Sequence, residues 1–208
     1  MKNMIGIKKL IKSIDRGFTH NLQQYTSWYK EIKIRLFMSC SHCVCRTDYG
    51  MVYQIIKEAF ACAKHSDGRG QDLAVRLRES CSFIPELSLV VVEDSRIVGH
   101  ILFTKAFVNA VEVLALAPLS VLPEYQNKGI GLSLIKQGHM IAFRLGYGYS
   151  VVLGHSKYYT KAGYVTASRY GIKAPFDISD KNFMAINLND EAKSIEGVIQ
   201  YDEAFGID

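Results

Sequence analysis

The residues with the most chemistry in their spacing lie between Pro118 and Gly131, in the run Pro-Leu-Ser-Val-Leu-Pro-Glu-Tyr-Gln-Asn-Lys-Gly-Ile-Gly. An apolar stretch, Val113 to Leu122, leads into a Pro-Glu-Tyr turn. Gln126-x-x-Gly129-x-Gly131 then opens a helical pattern. The first turn of a helix points unpaired N–H groups and the positive end of its dipole outward, and glycines let an anion approach them closely. Lys128 adds a point charge. This combination suits the pyrophosphate of a nucleotide-like cofactor. A Walker loop is excluded because no Gly-x-x-x-x-Gly-Lys-Ser/Thr occurs, and a dinucleotide fingerprint lacks its third glycine, position 134 being Leu. Proline cannot donate to a sheet ladder, so Pro118 marks a bulge or a stop in pairing. Past it, the backbone groups of Leu119, Ser120 and Val121 are available to an extended ligand.

The stretch Leu119 to Gly131 resembles the acetyl-CoA-binding motif of the GNAT superfamily of N-acetyltransferases, Val-x-Pro followed by Arg/Gln-x-x-Gly-x-Gly/Ala. Tyr158-Tyr159-Thr160-Lys161-Ala162-Gly163-Tyr164 resembles its second motif, aromatic-Tyr-x-x-x-Gly-Phe/Tyr, in the expected order and about thirty residues later. The resemblance covers about residues 48–190. It implies a mixed, mostly antiparallel sheet flanked by helices, whose two central parallel strands splay apart around the pantetheine arm. It implies acetyl-CoA as co-substrate, with backbone bonds from Leu119, Ser120 and Val121 to the acetyl-pantetheine arm. Gln126, Asn127, Lys128, Gly129, Ile130, Gly131 and Leu132 would cradle the pyrophosphate. Tyr159 matches the tyrosine that in many members protonates the departing thiolate, and Tyr158 would be a packing residue. A phenol with a pKa of about 10 can serve a thiolate whose acid form lies near about 8.5; the alternative for Tyr159 is an aromatic packed in the core or on the cofactor. The implied reaction is direct attack of a primary amine on the thioester in a ternary complex. A non-catalytic acyl-CoA-binding or sensing module is the alternative. Candidates for the base that takes the amine's proton are Glu86, Glu112, His100 and His155, besides water.

The elements that would hold these residues follow from hydrophobic period. Asp48 opens a helix through about residue 63, with Val52, Ile55, Ile56, Ala59 and Phe60 on one face. Residues 72–80 form a second helix, with Leu73 and Leu77 inward and Arg76 and Arg78 mostly solvated. Leu87–Val92 and Ile97–Phe103 flank a four-residue polar turn, an antiparallel hairpin. Residues 108–121 supply further strand, 130–145 a helix stopped by Gly146, and 151–153 a strand buried on both faces. A single helical turn at 157–162 and a last strand at 183–188 complete a mixed α/β layer fold around one twisted sheet.

Residues 1–31 form an amphipathic extension ahead of a domain spanning 32–208. Ile7, Leu10, Ile14, Phe18, Leu22, Tyr25, Tyr29 and Ile32 recur at helical steps, and Ile32 to Met38 alternates as a strand does. Lys8, Lys9, Lys12 and Arg16 would suit an anionic membrane; packing on the core or on another chain is the reading adopted for 5–32, because such stripes are common on ordinary helices. Cys40-Ser41-His42-Cys43-Val44-Cys45 has zinc-like residue types but no second pair to complete a tetrahedron, so no metal is expected.

The 208 residues carry a net charge of +5, with 49% hydrophobic and 22% charged residues, as a folded domain does. Residues 1–50 hold nine Lys/Arg and three Asp/Glu, which leaves sixteen and seventeen beyond them. The folded part is therefore nearly neutral, and nucleic acid is not an expected partner. Five cysteines, an N-terminus broken by lysines and no apolar run near about 18 residues lead to a cytoplasmic expectation.

Overall fold

The structure is a computed structural model that describes residues 46–61 and 68–207. The extension 1–31, the strand expected at 32–38 and the Cys40–Cys45 cluster lie outside the described residues. Helix α1 (Arg46–Ala61) and helix α2 (Gly70–Glu79) come first. A meander follows: β1 (Phe83–Glu93), β2 (Arg96–Val108) and β3 (Val111–Val121). Helix α3 (Ile130–Arg144) leads to β4 (Tyr149–Leu153) and the one-turn helix α4 (Ser156–Tyr159). The remainder holds the two-residue strands β5 (Val165–Thr166) and β6 (Ile172–Lys173), then β7 (Phe183–Asn187) and β8 (Gly197–Gln200). No helix among the described residues is long and apolar enough to cross a membrane.

The sheet runs β5-β7-β4-β3-β2, and β1 and β8 share the far edge of β2. β1 takes the part of that edge from Arg96 to Thr104, and β8 takes Phe107 and Val108. The β1–β2 turn is tighter than its four polar residues implied. Only Asp94 and Ser95 stand outside the strands, both at positive φ (46° and 64°), the conformation that matches the twist of a two-residue hairpin. β3 and β4 are parallel neighbours, and every other pairing except β6 with β8 is antiparallel.

Strand alternation sends successive side chains to opposite faces. Gly99 and Phe103 of β2 lie against α3, whereas His100 faces α2. Helix α3 buries Ile130, Leu134, Ile135 and Ala142. It ends on Gly146 (φ 89°), whose N–H donates to the Phe143 carbonyl while the Tyr147 N–H donates to that of Ala142. That double bond satisfies carbonyls the helix would otherwise leave open. Gly138 lies inward on α3 because the fully buried Phe103 ring occupies the space a Cβ would need. Gly138→Ala should therefore lower stability by about 2 kcal/mol, a fall of roughly 4–8 °C in Tm. An unchanged Tm by circular dichroism would mean that the Phe103 ring can step aside.

Candidate active site

β3 is the strand on which the site is built. Its register with β4 covers only Leu114 with Ser150 and Ala115 with Val151. Toward β2 it continues to the end, with Leu119, Ser120 and Val121 opposite Ile101, His100 and Gly99. A register shift between Ile101 and Phe103 accommodates Pro118. Residues 119–121 thus have a sheet partner on one edge and none on the edge facing β4. Two parallel strands that pair at one end and part at the other open a V-shaped gap.

The chain then turns through a 3-10 turn, Pro123–Tyr125. The Gln126 side chain donates to the Val121 carbonyl (3.0 Å), drawing the loop back onto the strand. Lys128 lies over the Tyr125 ring, 4.8 Å from its centre. Asn127 (φ 60°) and Gly129 (φ 82°) both adopt left-handed backbone, Asn being among the few side chains that tolerate it. The first N–H bonded within α3 is that of Ser133, to the Gly129 carbonyl (3.0 Å). The N–H groups of Ile130, Gly131 and Leu132 therefore have no acceptor inside the helix and face the mouth of the gap. The loop and first turn that hold them are the stretch Gln126 to Leu132, and unpaired N–H groups at a helix N-terminus are the kind of group an anion can use.

The opposite lip carries the tyrosines. Tyr159 is mostly enclosed, edge-on to Tyr158 and Tyr164 with ring centres 5.2 and 5.7 Å away. Its ring fills the space a Cβ on Gly154 would take. Burial, and secondarily Tyr158, push its hydroxyl pKa well above the usual phenol value. Tyr158 packs at the surface of the gap. It is half-buried, and its hydroxyl lies against Gly131, next to Leu119, bridging the gap from lip to lip. On the outer side, His155, Lys157, Tyr158, Lys161, Lys181 and Asn182 line a cleft of about 590 Å3.

Behind the tyrosines, the Tyr164 hydroxyl bonds His139 Nε2 (3.0 Å) and Ser150 Oγ (2.9 Å), tying α3 to β4. Burial lowers the His139 pKa to about 4, against about 6.5 in an unfolded chain. The folded state thus prefers the neutral ring. Its contribution is complete above pH 6.5 and is lost as pH falls toward 4, at about 1.4 kcal/mol per pH unit. His100, held well below its usual value by burial and by Arg78, acts with the same sign. His139→Gln should flatten the dependence of the urea midpoint on pH between 6.5 and 4.5; an unaltered slope would remove His139 as its source.

The four base candidates are not brought together. Glu112 pairs with Lys105 (3.5 Å) at the start of β3, seven residues and about 20 Å from Leu119 by strand rise. Glu86 lies on β1 beside the Leu102–Thr104 stretch of β2, within the field of Tyr147. His155 precedes α4 at the cleft. His100 is fully buried, with Nε2 3.3 Å from an Arg78 guanidinium nitrogen. Arg78 itself corrects an expectation. Its side chain turns inward beneath Tyr49, 4.6 Å from that ring's centre, rather than into solvent. A charged residue at the end of a short helix reads as exposed by default, yet Arg78 falls seven positions after the buried Gln71, on the same face of α2.

A β-bulged strand parting from its parallel neighbour and ending in a glycine-cradled helix N-terminus is the architecture implied by the sequence motifs. The chain belongs to the acetyltransferase (GNAT) family, whose model it matches over residues 50–164. It is 32% identical over 167 residues to the uncharacterized N-acetyltransferase YjhQ of Escherichia coli K12, covering 76% of this chain and 90% of that one. Among solved structures, the GNAT N-acetyltransferase YhbS of Escherichia coli, in complex with CoA, has the same fold. Its TM-score is 0.70 at 22% identity, over 77% of this chain and 88% of the other. A GNAT acetyltransferase of Brucella melitensis, in complex with acetyl-CoA, gives a TM-score of 0.64 at 26% identity, over 77% and 93%.

Proposed function

We propose that the protein transfers an acetyl group from acetyl-CoA to a primary amine by direct attack in a ternary complex. The observation that carries this is the unpaired edge of residues 119–121, which runs straight into the Asn127–Gly131 turn. An extended amide-bearing arm would add to that edge as a strand does, and a pyrophosphate would take the N–H groups of Ile130, Gly131 and Leu132. Glycine at 131 lets the Tyr158 hydroxyl lie close against the first turn of α3, since a Cβ there would collide with it. The complexes of the two similar proteins with CoA and acetyl-CoA support the same choice of co-substrate.

The chain's own groups would act as follows. Backbone donors near Val121 polarise the thioester carbonyl as negative charge develops on its oxygen. The amine nitrogen bonds to the carbonyl carbon, the carbon–sulfur bond breaks, and Tyr159 gives its proton to the sulfur. Glu112 stands too far off to take the amine's proton directly. His100 cannot, because Arg78 only donates and so makes Nε2 the acceptor, leaving the hydrogen on Nδ1. Glu86, His155 or solvent then remains for that step.

Calorimetric binding of CoA, followed by release of free thiol from acetyl-CoA across a panel of amines, tests the proposal. Saturable binding with amine-dependent thiol release is the expected result. Binding without release for any amine would favour the acyl-CoA-sensing module, and absence of binding would overturn both.

A further inference from the structure

Buried polar atoms in folded proteins almost always have hydrogen-bond partners. Among the described residues five side-chain atoms do not: Gln71 Oε1, Arg78 Nε, His100 Nδ1, Thr104 Oγ1 and Ser120 Oγ. They are not scattered. Gln71 and Arg78 lie on the inner face of α2, and His100 is the residue that Arg78 reaches. Thr104 is on the His100 side of β2 by strand alternation, and Ser120 is the cross-strand partner of His100. All five therefore occupy one layer between α2 and the sheet, on the face opposite α3, and the layer ends at Ser120 on the strand that borders the gap.

The chemistry of this layer is one-sided. Arg78 Nε and His100 Nδ1 carry hydrogens, and the Thr104 and Ser120 hydroxyls can donate, whereas only Gln71 offers an obligate acceptor. Gln71, His100, Thr104 and Ser120 are 7%, 0%, 0% and 3% exposed. Among the described residues the guanidinium beside them has no carboxylate: its partners there are His100 and the Tyr49 ring. A desolvated cation without a counter-charge is costly, and burial depresses the Arg78 pKa accordingly. Leaving four donors and a cation unmatched makes sense where the matching group arrives with a ligand.

We propose that this layer receives a carboxylate of the acceptor, so that the amines acetylated are ones that also carry a carboxylate, as amino acids do. A carboxylate is acceptor-only and matches the planar fork of arginine. Here it meets Arg78, with the His100 and Ser120 donors behind it, while the acceptor's amine points toward the gap beyond Ser120. The inference rests on the acetyl-transfer reading, and it assigns Arg78 as the residue that selects the substrate class.

The test uses matched pairs of amines, each proteinogenic amino acid against its carboxamide, with thiol release as the readout and CoA affinity measured separately. Wild type should favour acids over amides by at least about tenfold in kcat/KM. Arg78→Gln should bring that ratio to about one and Arg78→Lys should restore part of it, both with CoA affinity within about twofold of wild type. A ratio near one in wild type, or one that survives Arg78→Gln, would overturn the assignment. Failure of wild type to bind CoA would instead strike the acetyl-transfer reading. If no pair member releases thiol, the Tm of the CoA-loaded protein decides. A rise with an acid but not its amide, lost in Arg78→Gln, upholds the carboxylate site; no rise with any acid sinks it.

Discussion

Replacing Tyr159 by phenylalanine should lower kcat by about 100-fold, the lower end of what a positioned general acid supplies, while CoA affinity stays within about twofold. The substitution removes one oxygen and keeps the ring. The contacts that fix it, edge-on to Tyr158 and Tyr164 and against Gly154, are therefore retained. Burial raises its pKa, which keeps the hydroxyl protonated at neutral pH while making it a weaker acid toward the thiolate. Tyr158→Phe is the control, because the hydroxyl of that neighbour lies against Gly131. If Tyr159→Phe leaves kcat unchanged and Tyr158→Phe lowers it, the acid is Tyr158. If neither moves kcat, the sulfur takes its proton from solvent.

Gly131→Val should weaken CoA binding by at least about 100-fold, or about 2.7 kcal/mol, with the protein still folded. Two effects combine. A branched side chain would occupy the space the Tyr158 hydroxyl now fills, and it would stand between the ligand phosphates and the N–H groups of the first turn of α3. Each charge-assisted bond lost there is worth about 1.5–3 kcal/mol. Far-ultraviolet circular dichroism alongside the titration separates lost binding from lost fold. Near-normal affinity in a folded variant would place the phosphates elsewhere.

What could be read in advance divides by the range of the forces involved. The meander, α3 and the glycine turn declared themselves because each rests on local composition, period and turn chemistry: β-rich runs at Leu87–Val92 and Ile97–Phe103 around a short polar turn, a 3.6-residue stripe after Ile130, glycines at 129 and 131. β5 and β6 are two residues long and too short to show any period. β8 is a brief run opening on a glycine, made a strand by its pairing with β2 and β6. In the candidate site, the phosphate turn and the tyrosine pair were visible as motifs. The polar layer was not. Its members come from positions 71, 78, 100, 104 and 120, and Arg78 and Ser120 share an environment only because α2 lies across the sheet. A histidine inside an apolar strand, as His100 is, was the one local sign of it.

The shared edge of β2 bears on the order in which this chain can fold. β1 reaches its partner across two residues, a short loop that costs little entropy to close. β8 must find Phe107 and Val108 from more than ninety residues downstream, Gln200 pairing with Phe107. During synthesis, then, the lower part of the β2 edge stands open after the rest of the meander has formed, and it closes only once residue 200 has emerged. Until then Phe107, still 40% exposed in the finished fold, sits on an unpaired strand edge, which is where intermolecular pairing begins. The last strand thus completes the fold and seals its most association-prone border.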